Sequence, residues 1–441
     1  MKKPAIHTRL PGPNAEKWIR LDRTVVSPSY TRMYPLVAKQ AKGLWITDVD
    51  GNEFLDFTAG IAVCATGHCH PEVVSAIKAQ ADNLLHMSGT DFYYTPQIQL
   101  AERLSKLVPG KGPKKVYFGN SGAEAVEAAF KLARWHTRRN LNIAFYGAFH
   151  GRTMGALSLT ASKTIQKKNY NPLVPGITHI PYAYCYRCPY RLSYPGCGIY
   201  CVQWIEDTLF RTTIPPEEVA AIFLEPIQGE GGYIVPPPEF HQELKKIADK
   251  YDILYVADEV QSGMGRTGKM FAMAHFGVVP DIIALAKGIA SGMPLGAMVA
   301  HADIMNWETG SHASTFGGNP VSCAAAMVTI DLLKRELIQN AATRGKQLIN
   351  GLRTLQNQYE CIGDVRGKGL MAAIELVKDR QAKTPANQLR ADIIQAAFQK
   401  GLLLLGCGAN SIRFSPPLTA SSEEIDTCLS IVEEVIREMA N

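Results

Sequence analysis

Nowhere in the 441 residues does an apolar run reach the length a bilayer requires, and no apolar segment follows the lysines behind Met1. The chain is therefore expected to lack a membrane span and a signal peptide and to be cytoplasmic. It also lacks any lysine-arginine block interleaved with aromatics. Its 46 basic and 40 acidic residues leave a net charge of only +6, which argues against a nucleic-acid partner. Cysteine is sparse: 10 in so long a chain are too few for a disulfide scaffold. Internal repeats and low-complexity tracts are missing too. What is present, a hydrophobic content of 46%, is enough to bury a large core divided between two domains.

Residues 1 to about 40 are proline-rich and read as an irregular arm. From Gly43 to Phe57, apolar and polar residues alternate around Asp50-Gly51, which predicts a β-hairpin. Helical spacing follows from Pro71 to Leu85 and from Gln97 to Leu107. Strand-like runs then recur at Lys115–Phe118, Asn142–Phe145, Val219–Leu224, Ile253–Val256, Ile282–Leu285 and Leu295–Val299, with helical patterns at Ala123–Trp135 and Pro238–Lys250. That alternation predicts a doubly wound α/β domain. Past Pro320 the pattern changes to helices over Val321–Arg335 and Leu337–Gln356, mixed segments, and a last helix from Ser421: a smaller α+β domain that the N-terminal hairpin completes. The expected division is residues 1–60 (arm and hairpin of the small domain), 61–320 (large α/β domain) and 321–441 (small domain).

The stretch from Ile253 to Lys287 carries the chemistry. Ile253-Leu-Tyr-Val-Ala-Asp258 and Asp281-Ile-Ile-Ala-Leu-Ala-Lys287 are both short apolar runs ending in a charge, as buried parallel strands do, and ligands sit at that end of an open α/β sheet. A buried Asp/Lys ion pair would leave the same trace. The functional alternative is a pyridine cofactor whose ring nitrogen meets Asp258 while Lys287 holds its aldehyde as a Schiff base.

Asp258-Glu259-Val260-Gln261, Ala286-Lys287, Glu225-Pro-Ile-Gln-Gly-Glu230 and Ser314-Thr-Phe-Gly-Gly-Asn-Pro320, in that company, resemble the class III aminotransferases from about Gly43 onward. The resemblance implies fold type I, pyridoxal 5′-phosphate as cofactor, and a homodimer or dimer of dimers with shared active sites. It places the cofactor phosphate at Ser121, Gly122 and Ala123, where a capped helix start offers N–H groups and a positive dipole end. Ala123 stands where many relatives carry a hydroxyl, removing one phosphate contact. In Tyr146-Gly-Ala-Phe149-His150-Gly-Arg152, Phe149 is implied to stack on the ring opposite Val260, with His150 beside it; by residue type alone Phe149 would be a core aromatic. Gln261 is matched to the ring hydroxyl, and Thr315 to a phosphate contact from the neighbouring subunit.

For substrate, the resemblance singles out Ile61, Arg152, Glu230 and Arg413. Glu230 paired with Arg413 would let an ω-amino acid enter amine first, and the opened pair would free Arg413 for the α-carboxylate of glutamate. The implied activity is amino transfer from an ω-amino acid such as 4-aminobutyrate to 2-oxoglutarate, with Lys287 as the proton carrier. Ornithine and acetylornithine aminotransferases share most of these residues, and an amino-acid racemase or epimerase on the same scaffold would use the same carbanion.

Three other signals are weaker. Gly263-Met-Gly265-Arg-Thr-Gly268 satisfies a dinucleotide pattern but begins beyond Asp258-Glu-Val-Gln and lacks the acid closing a second strand. Cys64, His68, Cys69 and His70 crowd too short a loop to close a tetrahedron. Cys185, Cys188, Cys197 and Cys201 share one insertion and are open to zinc binding, a disulfide or free thiols; no metal is assigned.

Overall fold

The computed structural model describes residues 2–439, so Met1, Ala440 and Asn441, at the ends of the outer domain ranges, lie outside it. A seven-stranded sheet forms the centre, in the spatial order Lys114–Gly119, Gly296–His301, Ile282–Leu285, Leu254–Asp258, Val219–Leu224, Leu141–Phe145, Ile177–Ile180. Gly296–His301 runs antiparallel to both neighbours; the five strands beyond it pair in parallel. The inner strands are apolar without alternation because both faces are covered: every residue of Val219–Leu224 is buried. On one face, helix Gly122–Thr137 buries Ala125, Ala128, Ala129, Leu132 and Ala133, a spacing of three and four that makes one stripe, and the alanines let it approach closely. On the other, helix Phe240–Lys250 buries Phe240, Leu244, Ile247 and Ala248.

Strand register places the chemistry. Val256 lies beside Ile282 and Asp258 beside Ala284. The chain leaving Leu285 therefore delivers Lys287 past the same sheet edge at which Asp258 ends its strand.

The smaller α+β domain is built from both ends of the chain. Ile362–Lys368, Met371–Leu376, Ser411–Phe414 and Leu405–Cys407 form an antiparallel sheet, packed by helices Ile338–Gln358, Asn387–Gln399 and Ser422–Met439. The expected hairpin, Trp45–Asp48 against Glu53–Asp56, joins it through Leu402–Leu403, which pairs in parallel with Leu55 and Asp56. This is the fold type I architecture. No helix of the described residues is long and apolar enough to cross a membrane.

Two parts differ from the sequence reading. Within residues 1–40, expected to be irregular, Pro13–Val25 is a helix. Its N-cap, Gly12, has no side chain to offer; Asp50, from the hairpin turn, accepts the N–H groups of Asn14 (2.8 Å) and Ala15 (2.9 Å) instead. A cap supplied from 35 residues away leaves no local signature. The edge strand Ile177–Ile180 was not anticipated either: its four residues include a histidine and only Ile180 is buried.

Asp50→Ala should cost the arm helix about 1 kcal/mol. Hydrogen exchange within 13–25 should accelerate severalfold while protection of Val219–Leu224 stays unchanged.

Candidate active site

Asp258 closes its strand with both oxygens engaged. Oδ1 accepts the Val260 N–H at 3.0 Å, and Oδ2 lies 2.7 Å from Nδ1 of the buried His150. Burial pushes the His150 pKa down, but the hydrogen bond and charge of Asp258, with Glu225 behind them, more than reverse this, and the net shift is upward. The imidazole is thereby favoured as a cation beside Asp258. Lys287 sits half-buried in the wall of the same cavity, at φ 48°, a left-handed backbone that a non-glycine residue adopts only at some strain. Burial lowers its amine to about 8; Asp258, Glu225 and Glu230 oppose that shift and Arg413 adds to it.

The cavity has a volume of about 390 Å³ and opens to the surface. Ser121, Gly122 and Ala123 line one end, at the start of helix Gly122–Thr137. Ser121 Oγ caps the Glu124 N–H at 3.2 Å, and the Glu124 carboxylate returns to the N–H of Asn120, so the first turn is locked from both sides. The leading N–H groups at Gly122 and Ala123 have no partner within the helix and are free to take an anion. Two close approaches shape this end. A Cβ on Gly122 would lie 2.8 Å from Val260 Cγ1; one on Gly151, at φ 143°, would lie 2.8 Å from Ala123 Cβ. The small side chain at position 123 thus packs where Gly151 passes.

Phe149 and Val260 both line the cavity, as do Gln261 and His150. Two partners of these residues lie in motifs the sequence offered, Glu225 in Glu225-Pro-Ile-Gln-Gly-Glu230 and Tyr233 in Gln228-Gly-Glu-Gly-Gly-Tyr233, but their hydrogen-bonding roles were not foreseen. The buried Tyr233 donates its hydroxyl to Gln261 Oε1 at 2.8 Å, which orients the amide and leaves its N–H groups for the cavity. Glu225 accepts the N–H groups of Phe149 (3.0 Å) and Gly229 (2.8 Å), pinning two cavity loops together; burial raises its pKa to about 7, with His150 opposing and Asp258 assisting. Nothing in the sequence could single out Tyr233 for this, since any buried tyrosine needs a hydroxyl partner.

Beyond the ring-sized space, Glu230 Oε2 lies 3.2 Å from Arg413 Nη1, and Glu230 Oε1 lies 2.5 Å from Lys163 Nζ. Burial pushes Glu230 upward, but Arg413 and Lys163, helped by Lys287, outweigh it and hold the carboxylate below its ordinary range. Arg152 lines the cavity with its guanidinium 5.7 Å from the Phe149 ring centre. Four named residues stand apart from the lining: Glu230 and Arg413, which pair with each other, and Ile61 and Thr315. Ile61, in a left-handed turn from Ala59 to Ala62, is 48% exposed, and Val63 enters the wall instead. Thr315 is exposed on the surface of this chain.

A phosphorylated pyridine aldehyde fits what is present: an anion cradle, a ring slot between Phe149 and Val260, a paired carboxylate for the ring nitrogen and a low-pKa amine. The weaker signals find structural roles. No helix follows Gly263–Gly268 directly, and Arg266 there is buried against the carbonyls of Leu370 and Pro416. His68 pairs with Asp56 at 2.8 Å. Cys185, Cys188, Cys197 and Cys201 are free thiols around one small void. Among the described residues no group of three or more His, Cys, Asp or Glu is arranged to hold a metal.

The chain matches the family model for aminotransferase class-III over residues 25–436. An alanine/serine racemase from Pyrococcus horikoshii is 40% identical, over 99% of this chain and 94% of the relative. A 4-aminobutyrate aminotransferase from Escherichia coli is also 40% identical, over 92% of this chain and 95% of its own. The solved structure of an amine transaminase from an uncultivated Pseudomonas species, in its pyridoxal-phosphate-bound form, superposes with a TM-score of 0.87 at 32% identity, covering 94% of this chain and 98% of that one.

Three outcomes are expected. Cofactor-free protein should take up pyridoxal phosphate with a pH midpoint near 8, where the buried amine of Lys287 loses its proton, and not near the value of a free lysine. Borohydride trapping and peptide mapping should place the label on Lys287. Tyr233→Phe, which leaves the Gln261 carbonyl without its donor, should weaken cofactor affinity about fivefold, as the loss of roughly 1 kcal/mol implies, in an equilibrium titration of cofactor absorbance.

Proposed function

The chain belongs to the class-III aminotransferase family, and from that premise we propose that it racemises or epimerises α-amino acids with neutral side chains. One observation carries the reading: the cavity lining includes the apolar side chains of Val63, Met293, Pro294 and Leu295. An unbranched ω-amino acid has no side chain to set against such a wall, whereas a neutral α-amino acid does. The likeness to an alanine/serine racemase over nearly the whole chain supports it.

This enzyme uses pyridoxal 5′-phosphate, which supplies an electron-withdrawing ring that makes the proton on the substrate's α-carbon acidic. The protein's own groups do the rest. The start of helix Gly122–Thr137 would hold the phosphate, and Asp258, backed by His150, would favour a proton on the ring nitrogen because an adjacent anion favours the charged form. Lys287, whose amine is half-deprotonated at about pH 8, takes the α-proton. Return of a proton to the other face of the same carbon inverts it; passage of the proton to a different atom begins amino transfer. Arg152 and Arg413 are the cations available to the substrate carboxylate.

The bridge between Glu230 and Arg413 favours a second reading, transamination of an ω-amino acid such as 4-aminobutyrate or ornithine with 2-oxoglutarate. A closed bridge neutralises Arg413 and admits a substrate amine first. Under either reading the working unit is a homodimer or a dimer of dimers. Thr315 would reach the partner's phosphate, and the exposed Leu85, Phe92, Tyr93, Ile98 and Phe316 would be covered by a second copy. Domain boundaries near residues 60 and 320 belong to the same reading.

Holoenzyme given L-alanine, L-leucine or L-isoleucine in deuterated buffer without any oxo acid should incorporate deuterium at the α-carbon and form the inverted isomer. Brisk amino transfer from 4-aminobutyrate to 2-oxoglutarate with no inverted isomer would overturn the racemase reading in favour of the second.

A further inference from the structure

Lys163 stands outside every motif in the sequence, yet it makes the shortest contact at the Glu230 gate. It follows helix Met154–Leu159 at a point stitched to the cavity loop: Gly147 N–H donates to Ala161 O at 3.0 Å, and Ala161 N–H to Ala148 O at 2.8 Å. That anchoring presents its amine to Glu230 Oε1 at 2.5 Å, with the Lys163 side chain 43% exposed and that of Glu230 only 17%. The other oxygen reaches Arg413 Nη1 at 3.2 Å, and the buried Arg413 Nε has no partner among the described residues. Glu230 itself is tied to the small domain, its carbonyl accepting the Gly408 N–H at 2.7 Å.

One carboxylate is therefore shared by two cations, and the arginine makes the longer contact. We infer that Lys163 sets how readily Arg413 is released to a substrate carboxylate, and so biases the site toward ligands that need that arginine. Two effects act in the same direction. Lys163 withdraws part of the Glu230 charge, loosening the bridge that must break. Once Arg413 has turned away, Lys163 keeps Glu230 paired, sparing a largely buried carboxylate from being left alone. The inference rests on the switching role of Glu230 and Arg413 proposed above, whichever reaction follows.

Ligand affinity tests it without turnover. Glutarate offers a carboxylate to each of two arginines; valerate, of the same length, offers one. Calorimetric titration of the holoenzyme should show Lys163→Met weakening glutarate about tenfold, the size of one charge-assisted hydrogen bond, with valerate unchanged. Lys163→Arg should restore glutarate binding. In a Glu230→Gln background, where no bridge restrains Arg413, Lys163→Met should have no effect. An equal loss for both ligands, or a loss that persists beside Glu230→Gln, would mean that Lys163 adds only general positive potential, and the inference fails. No change in glutarate affinity would sink it as well. Because these ligands carry no amine, the result is the same for a racemase and a transaminase, and failure of the racemase reading shows only in the products of the isotope experiment.

Discussion

The contact between Asp258 and His150, 2.7 Å at the end of a buried strand, is the constraint on which the site depends. A carboxylate there is costly unless paired, and a histidine there titrates down unless an anion holds it up. The anion raises the histidine's pKa, and His150 occupies one carboxylate oxygen in return. Lys287, whose pKa lies near 8, lines the same cavity. Adjacent parallel strands in register bring Asp258 and Lys287 to one edge of the sheet.

Around that pair, other polar side chains serve mainly to hold backbone. Glu225 ties the Phe149 loop to Gly229, Tyr233 orients Gln261, and Glu124 closes the start of helix Gly122–Thr137. Such partners leave a rigid floor, on which mechanism is shared across the family. Glu230 is divided between Arg413 and Lys163, and Val63, Met293, Pro294 and Leu295 add apolar lining to the cavity. A racemase and a 4-aminobutyrate aminotransferase are equally identical to this chain, so overall identity does not separate the two reactions.

Much of the architecture was legible beforehand because the relevant signals are local. Uninterrupted apolar runs marked Val219–Leu224 and Ile282–Leu285 as inner strands, and Asp50-Gly51 marked the hairpin. Cavity residues such as Ser121, Phe149, Asp258, Gln261 and Lys287 were legible through motif resemblance, and all line one space. Long-range signals were not. The arm helix Pro13–Val25 is capped by Asp50, and the gate acquires Lys163 from a loop carrying no motif. Ile61 and Thr315, named by resemblance, lie outside the lining of this one chain.

The amino-acid order by itself determined which segments become strands and helices and which residue types stand at their ends, because propensity, apolar period and turn chemistry act over a few neighbours. Only the tertiary structure decided which charges share a partner. Glu230 meets Lys163, and Asp258 meets His150, across separations of 67 and 108 residues. Electrostatic pairing depends on distance in space and on the dielectric the packed core creates, and neither exists until the chain has folded.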